Sequence, residues 1–142
     1  MFYPASTAAQ RLRRIALAAR TLAIAYLVVL FIGTHLPAEG VEGVTISDKF
    51  LHFAGYLTLT VFVLAGWELS VGRLEPRHYF AVWLAATLFG AFDEMTQTPV
   101  GRTCDANDWL ADVLGVVCGL IVYRIGRAAV LRVTGRTPSA KS

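Results

Sequence analysis

His52 stands in the run DKFLHFAGY, with Asp48 and Lys49 before it and Tyr56 after it. Spacings of three and four residues put Lys49, His52 and Tyr56 along one stripe of a helix. A second polar set follows at residues 91–115, AFDEMTQTPVGRTCDANDWLADVLG, where five acids (Asp93, Glu94, Asp105, Asp108 and Asp112), Gln97 and Arg102 punctuate apolar sequence. An imidazole held in one tautomer by a carboxylate is a general base or acid near neutral pH. The chemistry open to these residue types is proton transfer by His52 with Asp93, Glu94, Asp108 or Asp112 beside it. Arg102, a planar fork in a turn after Pro99 and Gly101, could clasp a phosphate or carboxylate with Lys49 assisting. Asp48, Tyr56, Gln97 and Asp112 would complete the contacts to a substrate.

The same residues have a plainer reading. His52 can hydrogen-bond across helices with no chemical role, and Arg102 can pair internally with Asp105 or Asp108. For His52 alone the two readings balance; for the whole stripe function is favoured, because five acids are an expensive way to hold a bundle together. His52 with several carboxylates also offers ligands to a divalent cation. No HExxH, DxD or comparable spacing supports one, so no metal and no cofactor is assigned. Nor is there a nucleophile elbow, a Gly-rich phosphate loop or a dinucleotide fingerprint.

The elements that must position these residues follow from composition. Of 142 residues, 56% are hydrophobic and only 16% charged, and the mean hydropathy is +0.55. This is too apolar for an ordinary soluble domain. Four segments approach the roughly 20 apolar residues that a bilayer core requires. They are Ile15–Gly33, Phe50–Leu69, His78–Gln97 and Trp109–Leu131. Without strand alternation they must be helices, since lipid leaves backbone groups no other partner. The expected fold is therefore an all-α bundle of four transmembrane helices in a multi-pass protein of the cell membrane, spanning residues 15–131 between tails at 1–14 and 132–142. The first segment exceeds the usual signal-peptide core and THLPAEG lacks a small-residue cleavage pattern, so it is expected to be retained.

Arg11, Arg13, Arg14 and Arg20 flank or enter the first segment, Arg73 and Arg77 lie between the second and third, and Arg124, Arg127, Arg132, Arg136 and Lys141 close the chain. Basic residues near helix ends stay cytoplasmic, which places both termini inside. Eight of the ten acids, Glu39, Glu42, Asp48, Asp93, Glu94, Asp105, Asp108 and Asp112, then fall outside. A basic inner rim suits membrane lipids as partners and gives no reason to propose nucleic acid. Trp67, Trp83, Trp109 and Tyr123 fall near helix ends, as an interfacial belt requires. Cys104 and Cys118 lie at different depths and are not expected to form a disulfide. Glu68 should reach the inner interface, with Arg73 as partner. Gly115 and Gly119 make a GxxxG spacing that permits close helix approach, within the chain or in an oligomer.

With the third helix entering near His78, a rise of about 1.5 Å per residue sets Asp93 roughly 22 Å into a core about 30 Å thick. The polar stripes of three helices thus converge near one membrane face, as a pocket would.

DKFLHFAGY followed by FDEMTQTPVGRTCDANDWLADVLGVVCG resembles the VanZ-like family of small membrane proteins. The resemblance runs through Asp48, Lys49, His52, Tyr56, Glu94, Gln97, Gly101, Arg102, Asp108, Gly115 and Gly119, and covers about residues 32–119. Asp112 stands where many members carry Asn, adding a charge. The resemblance implies a four-helix membrane protein and, through the family's founding member, a link to teicoplanin-type glycopeptide resistance. It implies no reaction. The readings that follow are a protein that acts on or binds a cell-envelope component, lipid-linked or glycopeptide-related, or a non-catalytic accessory protein whose polar cluster holds the bundle together. Transport is a weaker third, since the inner half of the bundle offers no polar path.

Overall fold

In the computed structural model, which describes residues 7–36 and 47–135, every regular element is helical among the described residues. Helix α1 spans Thr7–Thr34, α2 Asp48–Val71, α3 Pro76–Gln97 and α4 Ala106–Val133, with a short 3-10 turn at Thr98–Val100 between α3 and α4. Glu39, Glu42, Arg136 and Lys141 lie outside the described residues. Helix α1 begins inside the segment read as a tail. TAAQRLRR is built from Ala, Gln, Leu and Arg, which extend a helix readily without any packing partner.

Three of the helices, α1, α2 and α4, are long and apolar enough to cross a membrane. Helix α3 does not join them on hydropathy, because His78, Asp93, Glu94 and Gln97 dilute its apolar run. The outer surfaces of α1 and α4 carry exposed Leu, Ile and Val, among them Leu17, Ile24, Val29, Ile121 and Ile125. Apolar surface on this scale is ordinary only where the solvent is lipid.

Helix α2 is central, packing on α1, α3 and α4, and its contact with α4 is the most extensive. Gly115 and Gly119 explain that closeness. A Cβ on Gly115 would stand 2.3 Å from the Phe53 carbonyl oxygen, and one on Gly119 would stand 2.8 Å from that of Leu57. The backbones touch where a side chain would have to stand. Of the two uses open to the Gly115 and Gly119 spacing, packing within the chain is the one seen: both glycines lie against α2. On the other side of α2, a Cβ on Gly55 would stand 2.5 Å from the Leu30 side chain of α1.

The turn between α3 and α4 is fixed locally. Gly101 adopts a φ of 82°, a left-handed conformation that side chains resist, and closes the 3-10 turn through its N–H to the Thr98 carbonyl. Asp105 then caps α4, its carboxylate accepting from the Asn107 N–H at 2.8 Å. At the opposite end of the bundle, Glu68 accepts from Arg127 Nε at 2.6 Å and from the Tyr123 hydroxyl. Its partner is therefore Arg127 rather than the expected Arg73. One helical turn separates Tyr123 from Arg127, so α4 presents both to the same carboxylate.

Gly115→Ala should push α4 off α2 and lower stability in detergent by about 1–3 kcal/mol, the range for overpacking a tight contact. Gly126→Ala, where a Cβ meets nothing within 4 Å, is the matched control and should leave the thermal melt unchanged or slightly raised. Equal melts for the two variants would refute the contact.

Candidate functional site

The N-termini of α2 and α4 and the C-termini of α1 and α3 meet at one end of the bundle. Their first buried layer is polar: His52 and Tyr56 of α2, Asp93, Glu94 and Gln97 of α3, and Asp112 of α4 are each at most 2% exposed. A residue every three or four positions on each helix turns to the same side, and four such ends facing one another make a closed cluster.

His52 is its hub. Its Nδ1 lies 2.9 Å from Asp112 Oδ1 and 3.7 Å from Glu94 Oε1. The second pairing is too long for a hydrogen bond, so Asp112 orients the ring. Glu94 is held by the chain around it: Oε2 accepts from the Asp105 backbone N–H at 3.0 Å, and Oε1 lies 3.4 Å from Gln97 Nε2. One carboxylate thereby ties the end of α3 to the cap of α4. Asp112 sits against Gly90, where a Cβ would come within 3.0 Å of Asp112 Oδ2.

Asp93 looks the other way, toward α1. Its Oδ1 accepts from the Thr34 hydroxyl at 3.1 Å and lies 3.6 Å from His35 Nδ1, while His35 Nε2 is 3.1 Å from the Thr96 hydroxyl. Thr34 and His35 were not among the residues singled out in the sequence. The signal was present, a polar TH pair closing the apolar run of the first helix, but nothing in the spacing said that α1 reaches this cluster.

Above the buried layer lies a charged rim. Lys49 Nζ bridges Asp105 Oδ2 and Asp108 Oδ1, each at 2.8 Å. Arg102 pairs with Asp48 and also donates to the Leu36 carbonyl at 3.3 Å. The internal pairing expected for Arg102 thus takes a different acid: Lys49 occupies Asp105 and Asp108, leaving Asp48 to the guanidinium. All ten residues anticipated at the site lie at this end, seven from the buried layer and its edge (His52, Tyr56, Asp93, Glu94, Gln97, Asp108 and Asp112) and three from the exposed rim (Asp48, Lys49 and Arg102). A cavity of about 360 Å³ between α1 and α2 reaches this level, lined by Gly33, Thr34, Asp48 and His52 among others.

Two groups of side chains here have the composition and closeness to hold a metal ion: His52, Glu94 and Asp112, all buried, and Asp48, His52 and Asp108 nearer the rim. Several buried polar atoms have no partner among the described residues, including His52 Nε2, the Tyr56 hydroxyl, Asp93 Oδ2 and Asp112 Oδ2. Cys104 and Cys118 are both free thiols and take no part.

The arrangement can hold an imidazole between two carboxylates away from water, with cations above it that an anionic ligand could engage. The VanZ/LLP1 family model matches residues 2–127, and no curated protein and no solved structure matches the chain. The chain belongs to the VanZ/LLP1 family.

Outside the helices, the hydrogen bond from Lys49 holds the Asp105 carboxyl below its ordinary value of 3.8. A carboxylate depressed in the folded state adds stability above its unfolded value, and that stability is lost as pH falls through the depressed one. Lys49→Met should therefore melt below wild type at pH 6, with Asp105's share of the gap closing below about pH 4. Thermal melts across pH 3–6 would check this, and a gap that does not narrow would sink the assignment.

Proposed function

We propose that this VanZ/LLP1-family protein crosses the membrane four times with both termini cytoplasmic, and that its buried polar cluster is a pocket at the extracytoplasmic face that acts on or binds a cell-envelope component. Helix α3, of 22 residues and so about 33 Å long, matches a core about 30 Å thick and packs beside α2 and α4. The opposite end supports the orientation, since Arg73, Arg124, Arg127 and Arg132 line a cavity of about 570 Å³ there. Such a basic rim belongs with anionic inner-leaflet head groups.

One observation carries the pocket reading: Asp93, Glu94, Asp112 and His52 are buried together at the end of a lipid-facing bundle. Each ionised carboxylate at a bilayer centre costs about 2.5–3.5 kcal/mol, less toward the interface, and apolar packing would hold the helices at lower cost. In the catalytic form of this reading, His52 moves a proton with Glu94, Asp93 or Asp108 while Arg102 and Lys49 exchange their present acids for an anionic group of a lipid-linked substrate. Tyr56, Gln97, Asp48 and Asp112 shape the pocket. The family resemblance extends the reading to teicoplanin-type glycopeptide susceptibility.

A second reading, an accessory protein without turnover, draws on the rim. Arg102 and Lys49 are already satisfied within the chain, as residues that only hold a fold would be.

Glu94→Gln, His52→Ala and Arg102→Ala, expressed in membranes, separate the two. Normal abundance with at least about a tenfold loss of the envelope phenotype, scored as glycopeptide susceptibility, is expected for a working pocket. Abundance falling in step with the phenotype would make the cluster a fold determinant. Restoration by the swap of Arg102→Asp with Asp48→Arg would mark the rim pair as structural. For orientation, a membrane-impermeant maleimide applied to intact cells should label Cys104 and leave Cys118 unlabelled; labelling only after lysis would invert the topology.

A further inference from the structure

We infer that His52, Glu94 and Asp112 form a binding site for one divalent transition-metal ion of the Zn2+ or Mn2+ class. The inference rests on the reading of this cluster as a pocket and names what the pocket holds. The three side chains come from α2, α3 and α4, and one ligand atom of each lies within 4.8 Å of the others. With bonds of about 2.0–2.2 Å, two ligands of a tetrahedral ion stand about 3.4 Å apart. The separations from His52 Nδ1, 2.9 Å to Asp112 and 3.7 Å to Glu94, bracket that edge. The third separation, between the Glu94 and Asp112 oxygens, is within 4.8 Å.

Closeness of acids alone would not make a site, and two further observations point to a ligand. Tyr56 is fully buried with its hydroxyl unpartnered, and it lies near enough to Asp93, Glu94 and Asp112 to feel all three charges. Asp112 keeps a second oxygen unpartnered on the side where Gly90 leaves room. Buried polar atoms are nearly always satisfied, so the Tyr56 hydroxyl and the second Asp112 oxygen call for a partner. A single cation offsets two buried carboxylates, and an imidazole beside oxygen ligands favours Zn2+ or Mn2+ over Mg2+ or Ca2+.

The surroundings fit a metal site in a second respect. Glu94 is aimed by the Asp105 backbone N–H, an outer contact of the kind that fixes ligand orientation. The cavity between α1 and α2 reaches His52 from the side of the bundle. Three protein ligands leave a coordination position for water or substrate, as open sites do.

The test uses the full chain purified in detergent with a tag free of histidine. The protein is equilibrated with Zn2+ or Mn2+, desalted, and its metal measured per chain. About one ion is expected on wild type, with at least about a tenfold loss of affinity in His52→Ala, Glu94→Gln and Asp112→Asn. Asp108→Asn should keep its ion; loss there with retention in Asp112→Asn would move the ion to the rim and overturn the assignment. Should the buried variants lose helicity by circular dichroism, Co2+ added to wild type decides. Visible absorption bands from a nitrogen- and oxygen-ligated ion support the site, and folded wild type that binds none of these ions refutes it. Metal bound normally with an envelope phenotype indifferent to His52 and Glu94 would instead refute the functional reading and leave the ion structural. A metal-free wild type whose phenotype still depends on Glu94 would do the reverse.

Discussion

A carboxylate cut off from water must find a partner, and in this chain that demand meets the closest contact between helices. Asp112 of α4 finds His52 of α2 because Gly115, less than one turn further along α4, lets the two backbones touch. Had either helix stood a side chain's width away, the pair could not close. Leaving one member of such a buried pair alone costs about 3–5 kcal/mol, so packing and polar satisfaction are here a single constraint. The position of α2 against α4 and the geometry of the cluster stand or fall together.

The other helices are fitted to that pair. Helix α3 enters the cluster with two neighbouring acids and divides them, Glu94 toward His52 and the α4 cap, Asp93 toward Thr34 and His35 of α1. Successive residues on a helix point about 100° apart, so adjacent acids serve two partners that a single acid could not reach. At the other end, Glu68 gathers Tyr123 and Arg127 and pins α2 to α4 a second time. The long α2–α4 contact is thus held by polar clasps at both ends and by backbone contact between them, with α1 and α3 laid against it.

The two ends of the bundle satisfy their acids differently. The Glu68 clasp answers its acid with a cation and a hydroxyl, and among the described residues it leaves no buried atom of Glu68 without a partner. The cluster around His52 has more acids than bases and, among the described residues, leaves several buried oxygens and a nitrogen open. One bundle thus holds a closed pair at one end and an open cluster at the other. The rim above it has the opposite character, every cation matched to an acid that an arriving anion could replace.

Much of this was legible in the sequence. Long apolar runs name helices in lipid, because no other structure satisfies their backbone; spacings of three and four put Lys49, His52 and Tyr56 on one face; and the acids at 93–112 had to turn inward. The family resemblance rested on the same residues. What the sequence could not decide was who meets whom across helices. Periodicity fixes the face of a helix and leaves its rotation and height against its neighbours open, and those are set by packing. Only the folded chain determined that Asp112 rather than Asp93 orients His52, that Arg102 takes Asp48 while Lys49 takes Asp105 and Asp108, that Glu68 prefers Arg127 to Arg73, and that α1 contributes Thr34 and His35. The GxxxG spacing is the plainest case: two glycines in a row of four announce a close approach, and it took the position of Phe53 and Leu57 to show that the approaching backbone belongs to the same chain.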